Sequence, residues 1–152
     1  MRTFESVREV LENAVAVHKA AVRLYGQLRH KALEERPRLL LDEMIRHEER
    51  LAELLGDFIA RADAESLDTR IQYTLEKRPE TFLEEAEAEV TPDLGSLTRL
   101  SQTIHSYLVN LFEEAVRETE PDRGAQLMRD ILEVEQAERE NFSRISLSAL
   151  DI

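Results

Sequence analysis

Four ionisable residues stand where a helical core calls for apolar side chains: His18 and Glu48 in the first half of the chain, His105 and Glu138 in the second. Burying such groups costs free energy unless they pair with one another or bind a metal ion. Two imidazoles and two carboxylates match the N and O ligand preferences of a single Zn, Fe, Mn or Co ion. They can equally satisfy each other. Glu48 can accept a hydrogen bond from His18 or His105 and Glu138 from the other histidine, giving metal-free pairs that fix register at some cost in stability. On sequence alone both readings stand.

The elements that position these groups follow from the apolar spacing. Val7, Leu11, Ala14, His18, Ala21, Tyr25 and Leu28 alternate steps of four and three, which keeps one stripe of a helix turned to its neighbours, and Val10, Val17 and Leu24 widen that stripe. This predicts a first helix from about Thr3 to Leu33. Pro37 then falls in the first turn of a second helix, where its missing N–H costs nothing, and so short a link makes the two antiparallel. The second stripe is Leu41, Met44, Glu48, Leu51, Leu55 and Phe58, fading near Ala62. From Asp63 to about Val90 the spacing weakens into a crossover, with Leu67, Ile71 and Leu75 suggesting one short helical piece and Pro79 opening another.

A third long helix begins with either Thr91 or Ser96 as its N-cap and carries Leu97, Ser101, Ile104, His105, Leu108, Leu111, Phe112 and Ala115, ending before Pro121. The fourth runs from about Asp122 to Ser146 with Leu127, Ile131, Val134, Glu138, Asn141 and Ile145 on one stripe. The chain therefore reads as one domain: a hairpin over 3–62, a crossover over 63–90 and a hairpin over 91–146. Shifting the first helix by 87 positions lays His18 on His105 and Tyr25 on Phe112; shifting the second by 90 lays Glu48 on Glu138. His on His and Glu on Glu, both off the apolar pattern, suggest an internal repeat of one hairpin.

Composition narrows the class. Four Gly, four Pro and 5% aromatics, with abundant Glu, Leu, Ala and Arg, are what long helices need, so an all-α fold is expected. No cysteine means no disulfide framework and no thiolate chemistry. A net charge of −12 has the wrong sign for nucleic acid or an anionic membrane surface. No apolar run approaches the ~20 residues of a membrane span, and the first twenty residues lack a signal peptide's apolar centre, so a cytoplasmic location is the default expectation. There is no Gly-rich phosphate loop, nucleophile elbow or His-Glu-x-x-His motif.

Two antiparallel hairpins joined by a long crossover resemble the ferritin-like superfamily, especially its rubrerythrin-like members, over nearly the whole chain. His18 and His105 each precede an aromatic, Tyr25 and Phe112, by seven residues, the spacing at which that family places a ligand Glu. The run Glu48-Glu49-Arg50-Leu51-Ala52-Glu53-Leu54-Leu55 is similar to the family's Glu-x-x-His-Ala-Glu-Leu-Leu stretch with Leu51 at the ligand histidine, and Glu138-Arg139-Glu140-Asn141 carries Asn141 there. The resemblance implies an antiparallel four-helix bundle whose dimetal ligand set has degenerated. Two adjacent divalent ions carry four positive charges, and two carboxylates with two neutral imidazoles compensate only half of that.

Two functions follow as expectations. The first is a non-catalytic or weakly metal-binding bundle serving as scaffold or partner-binding protein, with ties to stress or iron physiology implied by the resemblance alone. The second is a mononuclear oxidoreductase or metal-storage protein in which His18, Glu48, His105 and Glu138 hold one Fe, Mn or Zn ion, Asn141 positions bound water or oxygen, and Tyr25 tunes the ligands. A homodimer is expected, because Val10, Val17, Leu24, Leu39, Leu40 and Leu54 exceed what one seam needs. His47 is expected on the surface beside Glu43, His30 in solvent at the end of helix one, and the acidic run Glu84–Glu89 on a solvated crossover face.

Overall fold

The computed structural model describes residues 2–118 and 123–150, so Pro121 and Asp122 lie outside it, as does the side chain of Ile145. In chain order the elements are β1 (Arg2–Ser6), α1 (Val7–Lys31), α2 (Glu35–Arg61), α3 (Ala64–Asp68), β2 (Arg70–Thr74), α4 (Pro79–Glu89), α5 (Leu94–Glu118) and α6 (Arg123–Leu150). Four long helices build an all-α bundle: α1 packs on α2, α2 on α6, and α5 on α6, while α3 and α4 lie against α1. Among the described residues no helix is long and apolar enough to cross a membrane.

Local chemistry sets the ends of these helices. Ser6 caps α1 by accepting from the Glu9 N–H at 3.2 Å, with Glu9 three residues on as a capping box requires, and Arg29, His30 and Lys31 complement the dipole in the last turn. Helix α2 carries Pro37 in its first turn and closes at Ala62, whose N–H bonds the Phe58 carbonyl at 3.0 Å. Helix α4 opens on Pro79. Neither Thr91 nor Ser96 caps α5. The Asp93 carboxylate accepts from the Ser96 N–H at 2.9 Å, while the Ser96 hydroxyl accepts from the Thr91 N–H at 2.9 Å.

Two expectations fail before α4. The first helix does not reach back to Thr3, because residues 2–6 pair antiparallel with β2, Phe4 opposite Gln72 and Glu5 opposite Ile71. For the same reason Leu67, Ile71 and Leu75 do not share a helix: α3 ends at Asp68, and Ile71, Tyr73 and Leu75 are buried at alternate positions. That period of two marks a strand whose partner lies more than sixty residues upstream. The Val7 N–H donates to the Thr69 carbonyl at 2.9 Å, tying the ribbon to the start of α1.

The widened stripe of α1 is used inside the chain. Val10, Val17, Leu24 and Leu40 are all buried, Leu54 is half-buried, and Leu39 is exposed. The apolar surplus that suggested a homodimer is thus consumed largely by the fold itself. The halves also correspond at a single offset. Adding 87 to the bounds of α1 gives those of α5, and the buried pairs Val10/Leu97, Val17/Ile104, Ala21/Leu108, Leu41/Met128, Met44/Ile131 and Leu55/Phe142 share that offset. The buried stripe of α6 is therefore Ala125, Met128, Ile131, Glu135 and Phe142, turned slightly from the one expected through Leu127 and Val134, which are only half-buried.

Candidate functional site

His18 sits midway along α1 with its whole ring inside the bundle, Glu48 reaches it from α2 and Glu135 from α6; all three are at least 97% buried. The ring donates through Nδ1 to Glu48 Oε2 and through Nε2 to Glu135 Oε1, the latter at 2.7 Å. A neutral imidazole has one N–H, and ionised carboxylates only accept, so a ring bonded on both sides to carboxylates is an imidazolium. Burial alone would push its pKa down. The charges of Glu135 and Glu48 and their two hydrogen bonds outweigh it and raise the pKa to about 10. The result is a carboxylate–imidazolium–carboxylate bridge that joins three long helices.

The predicted quartet is thus only half assembled. His18 and Glu48 meet as expected. Glu138 lies one turn further along α6, partly exposed and paired with Arg50 at 3.1 Å, and Glu135 stands in its place against His18. The three-residue slip arises because residues three apart on a helix occupy neighbouring faces, so apolar spacing alone cannot choose between them. The offset of 87 that matches His18 to His105 also matches Glu48 to Glu135, and it is the one sequence signal that could have found Glu135. His105 is half-buried on α5 without a hydrogen bond among the described residues. Burial and then the Arg139 charge lower its pKa, opposed by Glu135 and Glu48.

Around the bridge lies a shell of polar groups. Tyr25 is fully buried, its hydroxyl unpartnered among the described residues, and its pKa is pushed well up by burial and by the Glu48 charge. Asn141 is exposed and takes no part. His47, expected on the surface, is buried and stacks on Phe142 with ring centroids 4.6 Å apart, and burial lowers its pKa to about 4. Glu43 pairs with Arg46 instead. Arg139, half-buried, donates to Ser101 Oγ at 2.7 Å and lies 5.6 Å over the Phe142 ring, an arrangement the sequence reading missed. His30 is exposed, as expected.

Dimetal chemistry does not fit these residues. Both nitrogens of His18 are engaged as donors to the two carboxylates, and among the described residues no three His, Asp or Glu side chains form a group that could hold a metal ion. What the arrangement does chemically is hold one proton, and with it one positive charge, between two buried carboxylates. A groove of about 920 Å³ lies elsewhere, between β2, α4 and α5, over Leu75, Phe82, Tyr107 and Leu111.

This architecture has a solved counterpart. A Thermotoga maritima protein described as ferritin-like and diiron-carboxylate superposes with a TM-score of 0.58 over 93% of this chain and 95% of its own, at 13% sequence identity. The fold is ferritin-like. At such low identity the likeness is one of fold alone, and the ferritin-like bundle brings α1, α2, α5 and α6 around a shared centre in which this chain sets an imidazolium. No protein-family model and no curated protein matches the sequence.

Proposed function

We propose that this ferritin-like bundle works without a catalytic metal, as a helical scaffold or partner-binding protein whose core charge is balanced by a protonated histidine. One observation carries the reading: His18 bonds Glu48 and Glu135 with both ring nitrogens, leaving no lone pair on that ring for a metal and no open pair of carboxylates to bridge two. Duplication of one hairpin accounts for the common offset of 87 and for the arrival of equivalent carboxylates from α2 and α6. A second copy or another protein partner would find its exposed apolar side chains at Leu33 and Leu39, beside the turn between α1 and α2.

The test is elemental analysis of untagged protein followed by aerobic Fe(II) titration. The expected outcome is no stoichiometric metal and no saturable iron oxidation. A bound ion, or oxidation that saturates at a fixed ratio of iron to protein, rejects the reading in favour of a mononuclear metalloprotein.

A further inference from the structure

The outer face of α5 is almost free of charge. From 94 to 112 it has no Asp or Glu and, among Lys and Arg, only Arg99, in a chain where 34% of residues are charged. Its exposed positions over that span include Thr98, Gln102, Thr103, Ser106 and Asn110. The neighbouring α4 has an ordinary solvated surface, with Glu84, Glu85, Glu87 and Glu89 all exposed. Water-facing helix surfaces carry charge, whereas the centres of protein interfaces are depleted of it. The groove of about 920 Å³ runs along this same face. Arg99, Thr103, Ser106, Asn110 and Glu114, spaced by four and three, line it from α5, and the buried Leu75 and Phe82 line it from the crossover.

We infer that a second copy of the chain docks in this groove, with α5 lying antiparallel to α5 across a two-fold axis between Ser106 and Tyr107. The stripe is self-complementary about that point. Arg99 of each copy faces Glu114 of the other, and Thr103 faces Asn110, so both ends of the contact close on an opposite-charge pair and the middle on neutral hydrogen-bonding groups. Glu114 already pairs with the exposed Arg117 three residues on, and a carboxylate retains lone pairs for a second guanidinium. Shape agrees with charge. Because α5 borders the groove, the α5 that fills the groove of one copy brings its own groove to the first, as an isologous contact requires. Each copy carries a net charge of −12, so association is least opposed where carboxylates are absent, and 94–112 lacks them. This rests on the partner-binding side of the reading above, names a second copy as the partner and uses none of the bridge residues.

The experiment is sedimentation equilibrium of the full chain over a range of concentrations, with circular dichroism to establish that each variant is folded. The wild type is expected to dimerise reversibly. Arg99→Glu and Glu114→Arg each set like charges opposite one another at both ends of the contact and should weaken the dimer about tenfold or more. The double variant Arg99→Glu/Glu114→Arg swaps the charges and should recover to within about threefold of wild type. Ser106→Glu, at the axis, should leave a folded monomer, while Leu39→Glu, at the turn between α1 and α2, should leave the dimer intact. A wild type still monomeric at about 1 mM overturns the inference. So does a double variant no tighter than the singles, or a dimer broken by Leu39→Glu and not by Ser106→Glu. Should Glu114→Arg fail to fold, Arg99→Glu and Ser106→Glu, at exposed positions, carry the test. Metal content is measured separately on the wild type, so a monomer leaves the metal-free reading standing and a bound ion leaves the dimer standing.

Discussion

At the residue scale the molecule turns on one proton. The His18 pKa is about 10 when folded, against an ordinary imidazole value of 6.5, so its contribution to stability is complete below pH 6.5 and falls as pH rises towards 10, above which it is gone. The difference in unfolding free energy between wild type and His18→Gln is therefore expected to be largest at neutral or lower pH, on the order of a few kcal/mol, and to shrink steadily across that window in denaturant titrations. A difference that grows with pH would contradict a protonated bridge. The register of α6 is tested by comparing two glutamates one turn apart. Glu135→Ala removes a fully buried partner of the imidazolium and is expected to cost about 3–5 kcal/mol. Glu138→Ala, breaking a pair with a well-exposed Arg50, should cost no more than about 1 kcal/mol. Equal losses would return Glu138 to the core.

At the element scale the crossover is more than a tether. Its ribbon with β1, the stacking of Phe82 on Tyr107 at 4.2 Å between ring centroids, and the hydrogen bond of the Tyr107 hydroxyl to the Lys77 carbonyl at 2.9 Å fasten it to both hairpins. Gly124, at the start of α6, lies close against this crossover: an added Cβ would meet Thr69 Oγ1 at 2.9 Å and Thr69 Cβ at 3.0 Å. Gly124→Ala gains helix propensity yet is expected to destabilise the chain by about 1–3 kcal/mol, because the contact includes a β-carbon fixed to backbone and cannot be relieved by rotating a side-chain tip. Thermal unfolding of the variant checks this, and a raised midpoint would show that the approach of α6 to Thr69 is looser than described. The first turn at Pro37 and the opening of α4 at Pro79 are readable from residue types, since proline acts within a few positions of itself, whereas the Ser6 cap escaped a helix drawn back to Thr3 because the strand pairing that stops α1 there comes from a distant segment.

For the whole molecule, under the proposed metal-free reading, the apolar stripes and the imidazolium bridge hold the core together without an ion. Prolonged treatment with chelator is accordingly expected to leave the thermal midpoint unchanged, whereas a bundle stabilised by bound metal would lose several degrees. The linear pattern of residues was enough to determine that the chain forms long amphipathic helices in two hairpins, and that His18 and Glu48 lie inside, because a period near 3.6 is imposed by the helix itself and reads out locally. Three matters were decided only when the helices packed. Glu135 faces the core instead of Glu138, since a slip of three residues turns a helix face by only about 60° and the choice belongs to the neighbouring helix. His47 is buried because Phe142 arrives from α6 to stack on it. Residues 70–74 form a strand because residues 2–6 lie alongside, a pairing between distant segments that no local periodicity records.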